Sequence, residues 1–331
     1  MRILVTGATG FVGSHLVREL CRQGNVCRCL VRNPDRLGEL ADLSGRVELF
    51  QGDVTDRKSL RNIARGIDVV YHLAAQRKTL SENSSMRQRL VQINVLGTEN
   101  ILRECLSSSL QKFVHFSSTA AMGFCRDGVL GEDDVGHPES AYGKSKLAGE
   151  RLVQAYVKER HIPAVILRPC AVYGPGGQGV FLKLARLAKQ GMLVNIGRGK
   201  NYLSLIFVAD VVRAAILAGT KGNPGEVYLI APEIAFDFDE IRTATLEYFN
   251  IRRPHPSVPV FLAGPGAELV ETLARIFSLA PWVGRKEWRS IFQPHRYDIS
   301  RAKTRLGFSP ADPSTTSLRE TLAWFRQGNL I

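Results

Sequence analysis

Ile3-Leu4-Val5-Thr6-Gly7-Ala8-Thr9-Gly10-Phe11-Val12-Gly13 sets a short apolar run before three glycines spaced three apart. An amphipathic stretch follows at once, with Val12, Leu16, Val17 and Leu20 on one side. The order predicts a buried strand, a tight turn and a helix. Each glycine answers a need: the turn itself, close approach of backbone to a pyrophosphate, and close packing of helix on strand. The helix N-terminus then offers unpaired N–H groups and a positive dipole end to an anion. Gly7, Thr9, Gly10, Phe11, Val12 and Gly13 are therefore the candidate phosphate cradle.

Working outward, apolar runs at 26–31, 47–50, 69–74, 113–116 and 164–167 alternate with helical patterns near 11–22, 87–106 and 139–160. Asp56 is placed to cap a short helix. Near-continuous apolar strands alternating with helices predict a parallel sheet covered on both faces. After Pro169 the regularity breaks. A Gly174-Pro175-Gly176-Gly177 loop precedes a helix at 181–190, and 206–218 returns to core character with Asp210 as the expected helix cap. A further strand is expected at 227–230 and a closing helix near 314–326. The expected fold is α/β, a Rossmann-type doubly wound parallel sheet with a smaller, mostly C-terminal lobe. Residues 1–170, with 201–231 returning, would bind a dinucleotide, and 171–200 with 232–331 would form the substrate lobe.

The 331 residues suffice for a large core, and their apolar and charged fractions are those of a soluble globular protein. No uncharged apolar run reaches the roughly eighteen residues of a spanning helix. The nearest, 258–283, is interrupted by Pro265, Glu268, Glu271, Arg275 and Pro281. No signal peptide is expected, because Met1 leads directly into a core strand. Six cysteines lack paired or metal-ligand spacing, which points to a reducing, cytoplasmic setting and no metal. The net charge of +13 comes without a nucleic-acid-binding motif, so no nucleic-acid partner is expected. Residues 251–310 carry ten Lys or Arg against four Asp or Glu, which leaves peripheral membrane contact open.

Tyr142-Gly143-Lys144-Ser145-Lys146 sets a phenol and an ammonium four apart, on one face of the 139–160 helix. A phenol ionises near pH 10, and a fixed ammonium beside it is expected to favour the phenolate. Ser117-Ser118-Thr119 ends the fifth strand, where a hydroxyl can hold a carbonyl or alcohol oxygen beside that phenol. Ligands of open α/β sheets bind at these carboxyl ends.

With these pieces in place the chain resembles the extended short-chain dehydrogenase/reductase superfamily, also called NAD-dependent epimerase/dehydratase proteins. The resemblance rests on the glycine turn, Gly52-Asp53-Val54, His72-Leu73-Ala74-Ala75, Asn94-Val95-Leu96-Gly97-Thr98, Phe116-Ser117-Ser118-Thr119, Tyr142-Gly143-Lys144-Ser145-Lys146 and Arg168-Pro169-Cys170-Ala171-Val172-Tyr173-Gly174-Pro175. It implies that Asp53 and Val54 contact the adenine, and that Leu73, Ala74, Ala75, Pro169 and Val172 line the cofactor groove. Asn94 would order a helix and the proton relay, Tyr142 would be the acid/base, and Lys146 its activator and a ribose ligand. Thr119 would hold the substrate oxygen, with Ser118 as the alternative. Arg32 at the end of the second strand favours NADP(H), since Arg accommodates a 2′-phosphate, while nearby Asp35 keeps NAD(H) open.

Two positions separate branches of this superfamily. Ala120-Ala121 stands where sugar-nucleotide dehydratases carry an Asp-Glu pair, and Leu203 stands where nucleotide-sugar epimerases place a diphosphate-binding Arg. The segments at 194–201 and 298–308 are more similar to the 3β-hydroxysteroid dehydrogenase and dihydroflavonol reductase branch, and to a hopanoid-associated subgroup. That likeness implies hydride transfer to or from an alcohol or carbonyl on a small hydrophobic substrate, sterol-, flavonoid- or terpenoid-like. Leu269, Val270, Leu273, Ile276, Phe277 and Ala280 share one face of an expected helix at 266–280, either core or a lid over such a substrate. Arg77, Lys78, Arg87 and Arg126 lie in loops that would frame the pocket. A nucleotide-sugar epimerase with tightly held NAD and a non-catalytic dinucleotide-binding subunit are the alternatives, and the chain is expected as a monomer or homodimer.

Overall fold

The computed structural model describes residues 1–77, 83–123, 128–134, 136–193, 195–196, 202–252, 257–258, 296–311 and 315–331. The expected lid helix, Lys78, Cys125, Arg126 and most of the basic 251–310 stretch lie outside the described residues.

Seven strands form one sheet: β1 (Arg2–Thr6), β2 (Val26–Val31), β3 (Glu48–Gln51), β4 (Val69–His72), β5 (Lys112–Phe116), β6 (Ala164–Pro169) and β7 (Val227–Ile230). Their order across the sheet is β7-β6-β5-β4-β1-β2-β3, and every neighbouring pair is parallel. The order reverses at β1, so the connections that follow β1 and β4 leave toward opposite faces and a crevice opens at their carboxyl ends. This is the doubly wound Rossmann-type sheet.

Alternation along each strand decides what covers each face. Ile3, Val5, Val69 and Tyr71 pack with helices α1 (Phe11–Arg22) and, later in the chain, Val208–Lys221. Leu4, Val70, Phe113 and Ile166 face Ile101, Leu102 and Cys105 of a helix at Gly97–Cys105, and Val153 of one at Ala141–Arg160. Cys27 and Cys29 share the first face, and the five described cysteines are free thiols.

The helix expected as one piece over 87–106 is built in three. Helix α2 (Ser84–Val91) runs into a π-helical turn at Gln92–Leu96, and α3 (Gly97–Cys105) continues from it. Widening one turn re-aims the side chains it carries, Asn94 among them. Helix α4 (Ala141–Arg160) begins at Ser140, whose hydroxyl accepts from the Gly143 N–H at 3.0 Å. Next come α5 (Val180–Gln190), α6 (Val208–Lys221), α7 (Phe238–Tyr248) and α8 (Thr315–Gln327).

A second apolar cluster gathers Phe181, Leu184, Phe236, Phe238, Leu322 and Phe325 from α5, α7, α8 and their flanks. Residues 297–308, expected with this lobe, belong elsewhere: Ile299, Ala302, Leu306 and Phe308 are buried in the cluster beneath the main sheet. Asp210 does not cap α6 as expected. Phe207 holds the cap position, while Asp210 sits in the first turn, pairs with Arg213 at 2.7 Å and accepts from the Ala311 N–H at 3.3 Å.

Candidate active site

Two clefts meet at the glycine turn, where both touch Gly7, Gly10, Leu73 and Ala75. One, of about 390 Å³, runs over the ends of β2 and β3 past Thr9, Arg32, Asp53, Val54 and Ala74. The other, of about 410 Å³, passes Phe11, Val12 and Gly13 to Ser117, Ser118, Tyr142, Lys146, Pro169 and Val172.

The turn itself is built for contact. Gly7 has φ +70°, and a Cβ there would lie 2.8 Å from Ala74 N. A Cβ on Gly13 would lie 2.1 Å from the Gly7 carbonyl oxygen, so helix and strand approach as no alanine would allow. Gly10, at the cap position of α1, brings no capping side chain. Among the described residues no capping side chain takes the first N–H groups of α1, whose residues Phe11, Val12 and Gly13 line the cleft, and this suits a pyrophosphate. Ser117 lines the same cleft further on, and among the described residues its buried hydroxyl has no hydrogen-bond partner. These residues fit a dinucleotide along the joined clefts.

A chain of hydrogen bonds stands behind the groove. The Ala74 N–H donates to Thr6 Oγ1 at 3.1 Å, and Thr6 Oγ1 lies 2.8 Å from His72 Nδ1. His72 Nε2 lies 2.9 Å from Thr98 Oγ1, whose own proton goes to the Asn94 carbonyl at 2.9 Å. Thr98 can then only accept from the ring, so His72 carries its proton on Nε2 and accepts from Thr6 at Nδ1. Burial drives the His72 pKa down to about 3, which keeps this single neutral tautomer in place. The Asn94 side chain takes the Gln76 N–H at 2.8 Å and donates to the Gln76 carbonyl at 3.0 Å and to Ser145 Oγ at 2.9 Å. Ser145 Oγ in turn donates to the Tyr142 carbonyl at 2.7 Å. Asn94 thus ties β4's end to α4 rather than lining either cleft.

Tyr142 and Lys146 reach the same cleft from the first turns of α4. The Lys146 ammonium donates to the Phe116 carbonyl, and burial pulls its pKa to about 8 against the upward pull of Glu150. The Tyr142 phenol is pushed up, chiefly by desolvation, while a hydrogen bond with Ser118 and the charge of Arg77 pull it down. This corrects the expectation that Lys146 would lower the phenol. One of the ammonium's three donors is engaged by the Phe116 carbonyl, and burial outweighs the pull of Ser118 and Arg77 on the phenol.

The two hydroxyls of the strand end part company. Ser118 lines the cleft with Tyr142, and its hydroxyl accepts from the Ala120 N–H at 3.2 Å. Thr119 is not among the residues lining that cleft. Sequence reasoning put Thr119 first with Ser118 as the alternative, and it is Ser118 that is among the residues lining the cleft with Tyr142. That reasoning also passed over Arg89, which joins Arg32 in the first cleft, and the buried Thr6, His72, Thr98 and Ser145. For Thr6 and His72 the signal was a polar side chain ending an apolar run, whereas Thr98 and Ser145 stand among polar neighbours and gave none.

Residues 3–231 match the NAD dependent epimerase/dehydratase family. The chain belongs to that family. As an NAD-dependent epimerase/dehydratase family enzyme it has relatives of more than one specificity. It is 29% identical over 343 residues to sterol demethylase protein B of Methylococcus capsulatus, covering 100% of both chains. It is 28% identical to a 3 beta-hydroxysteroid dehydrogenase/Delta 5→4-isomerase of Mycobacterium tuberculosis, covering 98% of this chain and 90% of that one. Among solved structures, UDP-glucuronic acid 4-epimerase from Bacillus cereus, in complex with NAD, superposes with a TM-score of 0.77 at 26% identity. That match covers 99% of this chain and 97% of the epimerase.

Proposed function

We propose that this enzyme interconverts an alcohol and a ketone on a small hydrophobic ring substrate, of the sterol, flavonoid or terpenoid kind. The observation that carries the reading is the placement of Ser118, Tyr142 and Lys146 together in the cleft that continues from the glycine turn. A dinucleotide held by Gly7, Gly10 and Gly13 supplies the hydride donor or acceptor. Ser118 holds the substrate oxygen, and Tyr142 gives up or takes the hydroxyl proton. Lys146 places a positive charge at the phenol's end of the cleft and donates to a ribose hydroxyl. Asn94, through Ser145, fixes the backbone at Tyr142.

Three features favour a ring alcohol over a nucleotide sugar. Ala120-Ala121 offers neither acid nor base for water elimination. Leu203 packs against the apolar cluster of the second lobe and carries no charge for a diphosphate. The sterol demethylase protein and hydroxysteroid dehydrogenase relatives point the same way. The fold-level match to a UDP-glucuronic acid epimerase favours the second reading, epimerisation with retained NAD. Arg32 and Arg89 flank the first cleft, which favours NADP(H), while Asp53 in that cleft suits the hydroxyls of either dinucleotide.

Nicotinamide absorbance, followed with a panel of 3β-hydroxysteroids, flavanonols and UDP-sugars, tests the reading. Net NAD(P)H formation or consumption with a ring substrate is expected. The Tyr142→Phe enzyme should bind dinucleotide as before yet turn over at least about 10²-fold more slowly. A UDP-sugar inverted with no net change in absorbance would overturn the reading in favour of epimerisation.

A further inference from the structure

Two successive turns of α4 are tied to two neighbouring strands. Lys146 donates to the Phe116 carbonyl at the end of β5. One turn further on, Glu150 takes two arms of Arg168 on β6, Nε at 3.0 Å and Nη2 at 2.7 Å. All three charged side chains are buried, and Phe116 is the register partner of Leu167, the residue before Arg168. Residues four apart on a helix share a face, so Glu150 stands one turn behind Lys146 on the buried side of α4. The remaining arm of Arg168 goes to the Glu132 carbonyl at 3.1 Å. The carboxylate is thus carried on the ammonium's own helix, and the guanidinium that clamps it comes from the sheet.

The other groups around the ammonium bring no negative charge. His72 and His115, register partners on β4 and β5 with ring centroids 5.6 Å apart, are held neutral by burial and by the charge of Lys146 itself. Tyr142, one turn ahead on α4, keeps its proton at neutral pH because burial raises it, and Arg77, which lines the same cleft, is a cation. Among the described residues the other buried carboxylates are engaged elsewhere: Glu132 with the Leu229 N–H, Asp210 with Arg213, and Asp237 at the cap of α7. A buried cation is costly unless a counter-charge stands near it. Glu150 supplies one, and it pulls Lys146 upward against desolvation.

We propose that Glu150 is a positioning residue that acts through Lys146: clamped by Arg168, its carboxylate is the counter-charge that keeps the buried ammonium charged and seated on the Phe116 carbonyl. This rests on the reading of Lys146 as the cation that serves Tyr142 and a dinucleotide ribose. It also gives Arg168 a task at the head of a segment whose next residues, Pro169 to Val172, line the cleft.

The test is the titration of the Lys146 signal in full-length protein carrying 13Cε-labelled lysine, assigned as the signal lost in Lys146→Met. In wild type its midpoint is expected at about 8. Glu150→Gln removes the charge with little change of shape and should make the ammonium at least about tenfold more acidic. Glu150→Asp keeps the charge on a shorter stem, so it should lower Tm yet leave the midpoint near that of wild type. Glu150→Gln combined with Arg168→Met leaves no unpaired buried guanidinium and carries the test should Glu150→Gln fail to fold, and its midpoint should fall as well. A midpoint unmoved in the variants that lack the carboxylate, or moved as far in Glu150→Asp, would overturn the proposal. Turnover surviving in Lys146→Met would instead remove Lys146 from the chemistry and leave this coupling standing.

Discussion

Lys146 is a cation held away from water, and that has a consequence for stability. The unfolded side chain keeps its proton to about pH 10.5, the folded one only to about 8. Between those values the unfolded state binds more protons, so stability contributed at this position rises with pH and is lowest below about 8. Urea unfolding at several pH values should show wild type gaining on Lys146→Met as pH climbs from about 8 toward about 10.5. A difference independent of pH would contradict the burial of a titrating ammonium. The Tyr142–Lys146 pair was legible in the sequence because helical spacing alone puts residues four apart on one face. Which of Ser118 and Thr119 meets the phenol was not. Successive residues at a strand end point opposite ways, and only Ser118 of the two is among the residues lining the cleft with Tyr142. The expected drop in the phenol's pKa likewise left out burial, whose cost to the charged phenolate outweighs the neighbours that favour it.

At the scale of elements, the π-helical turn Gln92–Leu96 explains how Asn94 can serve two neighbours at once. Its amide bridges the backbone of Gln76 and the hydroxyl of Ser145, three hydrogen bonds in a buried place. Asn94→Ala leaves the Gln76 groups and Ser145 short of partners. A loss of about 1–3 kcal/mol is expected in urea unfolding, because buried polar groups left unpaired cost that much. Turnover should fall with it, since Ser145 no longer fixes the backbone at Tyr142, and unchanged stability would show that Asn94 does not carry this junction. The glycine turn, both flanking elements and all seven sheet strands could be read from apolar runs and glycine spacing. The π turn could not: the 3.6-residue pattern on either side continues through it with no breaking residue to mark the extra width. Asp210 misled for a related reason. An acid at a helix start reads as a cap, yet here it serves Arg213 and the backbone of Ala311 from within the first turn.

For the whole molecule, the parallel order reversing at β1 opens one continuous groove, and both halves of the reading lie along it. Ile299, Ala302, Leu306 and Phe308 pack beneath the sheet, which no local pattern announces because their apolar spacing fits either lobe. Among the described residues no helix is long and apolar enough to cross a membrane. The central claim is that one groove brings a dinucleotide and a substrate carbon together for net redox chemistry governed by Tyr142. A 3β-hydroxysteroid deuterated at C3, incubated with the enzyme and either NAD⁺ or NADP⁺, tests it most directly. The account predicts deuterium at C4 of the dinucleotide released to solution, in step with ketone formed, and its loss in Tyr142→Phe. Deuterium that stays with the alcohol across the ring-substrate panel, or transfer as fast in Tyr142→Phe as in wild type, would contradict it.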